Sequence, residues 1–263
     1  AIRSTKAVQR MFEVHNTSAA ATAALGRFIT GSLLIAENMK NEDDTQTTTI
    51  KCDGPIHGMT CVCDSKGHVR AYPVENDVPT TYYYPGKINV SEAVGKGSLT
   101  VIRDIGLRDP FVGTVELVSG EIAEDFTYYL AASEQTPSVV ALGVLLKDGH
   151  VEHAGGFMIQ LMPGHTEEDI EYIEKRVNGG FPEVTFLMEE GLSPAKMLDM
   201  FIGDLQVCKN GDATITDEAA AAKYLAEHDI NISVNLNAGD AYDRMYTCDF
   251  SYDYVKINGD YRT

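Results

Sequence analysis

The sequence predicts an α+β fold with antiparallel sheets. Three observations support this class: one long apolar helix near the start, groups of short alternating segments separated by Gly-containing turns, and a run of consecutive helices that does not alternate with strands. The 263 residues suffice for one large domain or two smaller ones, each able to bury a core.

Two helices are predicted first. Residues 4–14 place Ala7, Met11 and Val14 on one face at helical spacing. The polar residues 15–18 then offer an N-cap for a second helix over residues 18–40. This second helix is apolar or small on all sides, which predicts that it is buried over most of its surface.

The chain then changes to the two-residue period of β-strands. Turn sequences that contain Gly separate neighbouring segments, as they do in hairpins. The predicted strands are residues 47–52, 58–63, 69–72, 98–103 and 112–118.

Helices and strands are mixed in the rest of the chain. A helix over residues 121–133 carries acidic residues in its first turn, where they interact favourably with the helix dipole. Short helices follow at the end of the sheet-forming region, the last of them with Pro in its first turn. The predicted elements are strands 139–146 and 156–161, helices 167–177, 184–189, 194–202 and 217–227, and strands near 230–236 and 244–250.

The composition is that of an acidic globular protein. There are 21 Lys and Arg against 39 Asp and Glu, so the net charge is −18, and 44% of the residues are apolar. The apolar fraction excludes an unfolded chain, and the acidity argues against nucleic-acid partners and against an anionic membrane surface. The longest purely apolar runs fall far short of the about 20 residues of a membrane span. Five cysteines without disulfide-like spacing indicate a cytoplasmic protein.

The common catalytic motifs are absent from the sequence, which has no G-x-S-x-G elbow, no H-E-x-x-H and no P-loop. Cys61-x-Cys63 places two thiols on one face of a predicted strand, which would be half of a zinc site, but buried apolar cysteines are the favoured interpretation. The Tyr82-Tyr83-Tyr84 run is interpreted as packing residues in preference to a surface patch or a strand edge. Spacing alone therefore predicts no catalytic residue and no metal site.

A series of short motifs follows in a fixed order along about 200 residues. They are His15-Asn16-Thr17-Ser18, Ala24-Leu25-Gly26-Arg27, Asp53-Gly54-Pro55-Ile56, Gly67-His68-Val69-Arg70-Ala71-Tyr72, Gly95-Lys96-Gly97-Ser98-Leu99-Thr100-Val101, Asp109-Pro110-Phe111-Val112-Gly113, Ser119-Gly120-Glu121-Ile122-Ala123-Glu124-Asp125, Ser133-Glu134-Gln135-Thr136-Pro137-Ser138, Ala154-Gly155-Gly156-Phe157 and Gln160-Leu161-Met162-Pro163-Gly164. In this order the motifs resemble the redox-regulated heat-shock protein 33 family of holdase chaperones.

The resemblance implies a substrate domain of two crossed antiparallel sheets with buried helices over residues 1–165, truncated at its start, and a helical linker over residues 166–205. It implies that unfolded client proteins bind to apolar surface of the linker helices, and that a homodimer can form by exchange of segments. Ordinary amphipathic packing is the alternative interpretation for each linker residue. The candidate client-binding residues are Ile170, Ile173, Val177, Phe186, Leu187, Leu198, Met200 and Phe201.

The chain departs from this family at the redox switch. In the family, four thiolates in a C-x-C and a C-x-x-C pair hold one zinc ion, and their oxidation releases the metal and exposes the linker. After Leu205 this chain has only Cys208 and Cys248, and two thiols cannot build that site. We therefore expect no zinc, no other cofactor and no switch of the family type.

Residues 206–263 carry a second resemblance, on the segments 208–211, 222–225, 229–232 and 247–263. These are similar to the C-terminal end of ornithine acetyltransferase, or glutamate N-acetyltransferase, which implies a short α/β tail joined to the linker near residues 203–205. The Asn and the final Thr of the last segment contact substrate in that family, and they correspond to Asn258 and Thr263. Because the family's threonine nucleophile motif is absent, we expect this tail to be inactive.

The resulting hypothesis is a cytoplasmic, non-enzymatic holdase-type chaperone that lacks its zinc switch. One alternative is a remnant or fusion of the acetyltransferase, and another is a binding or structural protein without chaperone activity. A natural fusion, an engineered chimera and an assembly artefact would each produce the join near residue 204.

Overall fold

The structure, a computed structural model, describes residues 1–39, 41–161 and 165–203. Within these residues ten strands form three sheets and seven helices pack around them, so the α+β prediction is confirmed. The predicted elements after residue 206 lie outside the described residues. The strands are β1 Ile2–Arg3, β2 Thr45–Cys52, β3 Gly58–Asp64, β4 Val69–Pro73, β5 Tyr82–Tyr84, β6 Lys87–Ile88, β7 Gly97–Asp104, β8 Phe111–Glu116, β9 Ser138–Lys147 and β10 His150–Gln160. The helices are α1 Thr5–His15, α2 Ala19–Ala36, α3 Val90–Val94, α4 Ala123–Ala132, α5 Glu167–Asn178, α6 Val184–Glu189 and α7 Pro194–Ile202.

The largest sheet is antiparallel and has the strand order β4-β3-β2-β7-β8. Its central strand β2 places Thr48 opposite Cys61 of β3 on one side and opposite Val101 of β7 on the other. All three side chains are buried. Because alternate residues of a strand point to opposite faces, this row marks the face of the sheet that belongs to the core.

Helix α2 runs through the middle of the core. The Ser18 side chain caps it by accepting the Ala21 N–H, and every residue of the helix except Ala19 and Arg27 is buried. This confirms the predicted burial, although the helix ends at Ala36, before the predicted residue 40. Its mean hydropathy of 1.5 would suit a membrane span, but 89% of it is buried inside the protein, as expected of a core helix.

The three-stranded sheet has the order β1-β10-β9, so within the described residues β1 and β9 are its two edge strands. One face of this sheet packs on α1, α2 and α4, and the other face carries α6 and α7. Gly143 of β9 allows this second layer to come close, since a Cβ there would lie 2.9 Å from Thr185 Cγ2. Helices α6 and α7 thus form a layer of their own on a sheet whose other face is already covered by α1, α2 and α4.

Candidate functional site

Helix α5 begins with a capping box. The Thr166 hydroxyl accepts the Asp169 N–H, and the Asp169 carboxylate accepts the Thr166 N–H. This exchange satisfies two main-chain donors at the helix start. Further along α5, the Tyr172 hydroxyl donates to the Ile202 carbonyl at 2.9 Å and accepts from Arg176 at 3.0 Å. Helix α5 is thereby tied to the end of α7.

Helices α6 and α7 bury their apolar faces on β10 in a second, smaller core. The Phe201 ring of α7 lies 5.3 Å from that of Phe157 in β10 and 4.8 Å from that of Phe181. At these distances, tilted aromatic rings attract one another. The fully buried residues of this core are Phe157, Ile173, Val184, Leu187, Met188, Met197 and Phe201.

The eight predicted client-binding residues differ in their exposure. Val177 is 47% exposed, Phe186 53% and Met200 42%, so these three offer apolar surface to a partner in this state. The other five predicted residues are buried or half-buried, as expected if they pack within the protein and do not contact a client. Among them, Ile170 and Leu198 are half-buried, while Ile173, Leu187 and Phe201 are fully buried.

A cleft of about 890 Å³ lies beside these helices. Its walls are formed by β9, by the turn between β5 and β6, by the start of α6 and by residues of α2. Val177, Phe181 and Val184 contribute apolar surface from the linker side. The cleft is therefore continuous with the linker surface that exposes Val177.

One bridge joins the β5–β6 hairpin to the linker across this cleft. Glu183, the residue before α6, accepts from Lys87 Nζ at 2.6 Å and from the Tyr84 hydroxyl at 3.3 Å. Partial burial would raise the pKa of the Glu183 carboxyl, but Lys87 and Tyr84 hold this pKa below its ordinary value. The carboxylate is therefore charged at neutral pH. We call these three residues the hairpin–linker bridge.

A second ion pair anchors the same hairpin to the core. Arg27 of α2 pairs with the Glu121 carboxylate, which also accepts from the Tyr83 hydroxyl at 2.9 Å and from the Ser91 N–H at 3.0 Å. Burial would raise the pKa of Glu121, but the Arg27 guanidinium and these hydrogen bonds lower it. The hairpin is thus held between the core and the linker by two carboxylates.

The interpretation of Tyr82, Tyr83 and Tyr84 as packing residues is wrong. They form strand β5, and they are 56%, 53% and 57% exposed. The reason is that, in the part of the chain that the structure describes, β5 pairs with the short β6 alone, and this two-stranded sheet has no core of its own to cover the rings. Tyr82 lines the cleft, and the hydroxyls of the other two contact the anchoring carboxylates. The Pro85-Gly86 pair that follows the three tyrosines is a turn signal that could have indicated this hairpin.

The Cys61 and Cys63 thiols lie side by side in the main core, with their Sγ atoms 3.6 Å apart, in agreement with their interpretation as buried apolar residues. The hydrogen bond from Cys61 and burial raise the pKa of the Cys63 thiol. Burial also raises the pKa of the Cys52 thiol, to about 11. Metals bind the thiolate, which these surroundings disfavour. In the described ranges no three His, Cys, Asp or Glu side chains are grouped as for a metal ion.

Asn258 and Thr263, which the second resemblance implies as substrate contacts, lie outside the described residues, as do Cys208 and Cys248. The site that the structure describes is therefore the linker surface, the cleft and the hairpin beside it.

An open cleft with a largely apolar lining lies next to helices that expose further apolar side chains, and such surfaces are typical of proteins that bind apolar partners. A family model described as "Hsp33 protein" matches residues 1–222. The chain therefore belongs to the Hsp33 family of chaperones, as its sequence motifs predicted.

Individual relatives agree with this assignment. A 33 kDa chaperonin of Clostridioides difficile (strain 630) is 48% identical over 200 residues, which are 76% of this chain and 68% of the relative. A 33 kDa chaperonin of Lachnoclostridium phytofermentans is 46% identical over 202 residues, 76% of this chain and 69% of the relative. The crystal structure of the 33 kDa chaperonin from Thermotoga maritima superimposes with a TM-score of 0.72 at 36% identity, covering 78% of this chain and 70% of that one.

The C-terminal segment matches a different family. A model described as "ArgJ family" matches residues 189–263, in agreement with the second resemblance. The two family matches overlap over residues 189–222, and the predicted join near residue 204 falls inside the overlap. The relatives that match most of the chain are named chaperonins and not enzymes, which agrees with the prediction of a non-enzymatic protein.

Proposed function

We propose that this chain is a holdase, which binds unfolded client proteins in the cytoplasm through apolar surface of the linker helices. The observation that carries the proposal is the exposure of Val177, Phe186 and Met200 on helices that also contribute buried side chains to the second core. Large exposed apolar side chains on a folded protein are typical of binding surfaces. The net charge of −18 would keep the client-loaded complex soluble by mutual repulsion.

Client binding is constitutive in this proposal. The family's switch requires four thiolates, and the C-terminal part of this chain supplies two cysteines. Oxidation could therefore not release a zinc ion to expose the linker. Activity should be present under reducing conditions and should change little when an oxidant is added.

The test is light scattering from a client that aggregates on heating, with the full chain present or absent. We expect suppression of aggregation, and a loss of at least half of it when Val177, Phe186 and Met200 are together replaced by Ser. The matched control replaces Val14, Val74 and Leu107 by Ser, because these are 54%, 63% and 58% exposed but lie outside the linker. Absence of suppression by the unmodified chain would refute the holdase, and equal losses in both triple variants would refute the linker as its surface.

Acetyl transfer is the second candidate function, and the match of residues 189–263 to the ArgJ family is the observation in its favour. It predicts transfer of acetyl from acetylornithine to glutamate, and self-cleavage of the chain before a threonine. The missing nucleophile motif argues against both. An intact single band on a denaturing gel, together with no transfer, would exclude it.

A further inference from the structure

The outer edge of β9 presents main-chain groups for which the described part of the chain provides no partner. Ala154 of β10 accepts the Ser4 N–H at 2.9 Å and donates its own N–H to Thr5 Oγ1 at 3.0 Å, so both of its main-chain groups point away from β9. Val144 lies opposite Ala154 in the β9–β10 register. In an antiparallel pair, opposite residues that do not bond to each other both point outward. The N–H and C=O of Val144 therefore point away from the sheet.

The same alternation applies to Leu142 and Val140, two and four residues earlier. The Val140 N–H donates to Thr127 Oγ1 at 3.2 Å, which confirms the outward direction and shows that α4 covers this end of the edge. Leu142 and Val144 have no comparable partner within the described ranges. Leu142 and Val144 thus offer two main-chain N–H donors and two carbonyl acceptors along this edge.

The outward main-chain groups of Leu142 and Val144 face the cleft. Residues 139–149 line it continuously, and the other lining residues come from both faces of the sheet, Ala23 from one face and Phe181 from the other. A cleft with this lining must follow the edge of β9. Pro85 and Gly86 of the β5–β6 turn form part of its wall.

The charged side chains around the cleft do not favour an anionic occupant, since Asp148 adds a carboxylate to the lining. Three cationic side chains line it, and each is paired with a carboxylate: Arg27 with Glu121, Lys87 with Glu183, and Lys147 with Glu152. The unpaired groups of Leu142 and Val144 are therefore neutral main-chain donors and acceptors among apolar side chains. The ligand with complementary chemistry is the main chain of an extended apolar polypeptide.

We propose that β9 binds an extended, uncharged segment of the client as an additional β-strand within this cleft. The inference rests on the proposed holdase function and specifies how the client is held. Main-chain pairing recognises any sequence in extended conformation, and the adjoining apolar wall selects for apolar side chains. This combination suits a protein that must bind many different unfolded chains.

The test uses the unmodified full chain and a fluorescein-labelled peptide of about eight alternating Val and Thr residues, a length typical of a strand. One version is N-methylated on alternate residues, which blocks one edge of the extended peptide, and another is methylated on all of them, which blocks both edges. The first can still pair through its free edge, so we expect its affinity to stay within about twofold. The second should bind at least about tenfold more weakly, because it cannot form the main-chain hydrogen bonds.

A substitution in β9 tests the same hydrogen bonds by changing the protein instead of the peptide. Leu142→Pro removes an outward N–H while leaving the β9–β10 hydrogen bonds in place, and Leu142→Ala is the matched control that removes only side-chain atoms. We expect the Pro variant to lose peptide affinity about tenfold relative to the Ala variant, and peptide titration by fluorescence anisotropy measures this.

The outcomes separate this inference from the holdase itself. If aggregation is suppressed but full methylation leaves peptide affinity unchanged, clients are held by side-chain contacts and the strand proposal is wrong. If Leu142→Pro converts a dimer into a monomer in sedimentation and peptide affinity is unaffected, the edge pairs two copies of the chain and the proposal is likewise wrong. If the unmodified chain suppresses no aggregation, the holdase function fails.

Discussion

At Gly31, helix α2 lies directly against a side chain of α4. A Cβ built on Gly31 would overlap the ring of Phe126, which also stacks on Phe28 with ring centroids 6.1 Å apart. Glycine in the middle of a helix costs about 1 kcal/mol relative to alanine. The close approach of the two helices explains why a residue with this intrinsic cost occupies the position.

Gly31→Ala should lower the free energy of unfolding by up to about 2 kcal/mol. Overpacking a core costs about 1–3 kcal/mol, and the gain in helix propensity offsets about 1 kcal/mol of it. In a Phe126→Leu background most of the overlap is relieved, so the same substitution should become nearly neutral. Urea unfolding of the two single variants and the double variant measures this coupling. Equal effects of Gly31→Ala in both backgrounds would show that the ring does not limit the helix approach.

The longer elements could be predicted from periodicity. Helices α6 and α7 have the predicted bounds, α5 ends one residue later than predicted, and both ends of α1 are shifted by one residue. The elements that were missed are β1, β5, β6 and α3, which have five residues or fewer and are too short to show a period. Strand β10 begins at His150 and not at residue 156, because a register shift between Val151 and His153 interrupts its alternation.

The hairpin–linker bridge should govern how readily α6 leaves the sheet. A partly exposed ion pair contributes up to about 1 kcal/mol, so Glu183→Gln should speed amide hydrogen exchange in α6 by up to about fivefold near neutral pH. Because the pKa of Glu183 is lowered, its contribution is present above the ordinary carboxyl pKa and is lost as the pH falls through the folded value. The difference between the two proteins should therefore disappear in acid.

The matched control for this bridge is Glu189→Gln, which removes a charge from an exposed position on the same helix. Exchange rates are compared after correction for the intrinsic effect of pH on amide exchange. If Glu189→Gln speeds exchange as much as Glu183→Gln does, the effect comes from helix charge in general and the bridge has no special role.

The proposed client site depends on contacts that only the folded molecule creates. Phe186 and Leu187 are adjacent in the sequence, yet the first is 53% exposed and the second is 3% exposed. Amphipathic spacing identifies an apolar stripe but does not tell which of its members reach the sheet. Lys87 and Glu183 are 96 positions apart, so no local pattern links them. Family motifs thus led to the linker, whereas the cleft, the β9 edge and the hairpin required the three-dimensional structure.

In this chain a zinc site with four thiolates would have to combine cysteines from distant parts of the sequence. Cys61 and Cys63 are buried side by side in the core, with the pKa of Cys63 raised, so they are poorly placed to bind a metal reversibly. We expect purified protein to contain far less than one zinc per chain by atomic emission, and its suppression of aggregation to be unchanged by a chelator or by peroxide. A control chaperone that carries the four-thiolate site should respond to peroxide in the same assay. Stoichiometric zinc, or activity that appears only after oxidation, would show that the cysteines of this chain form a switch after all.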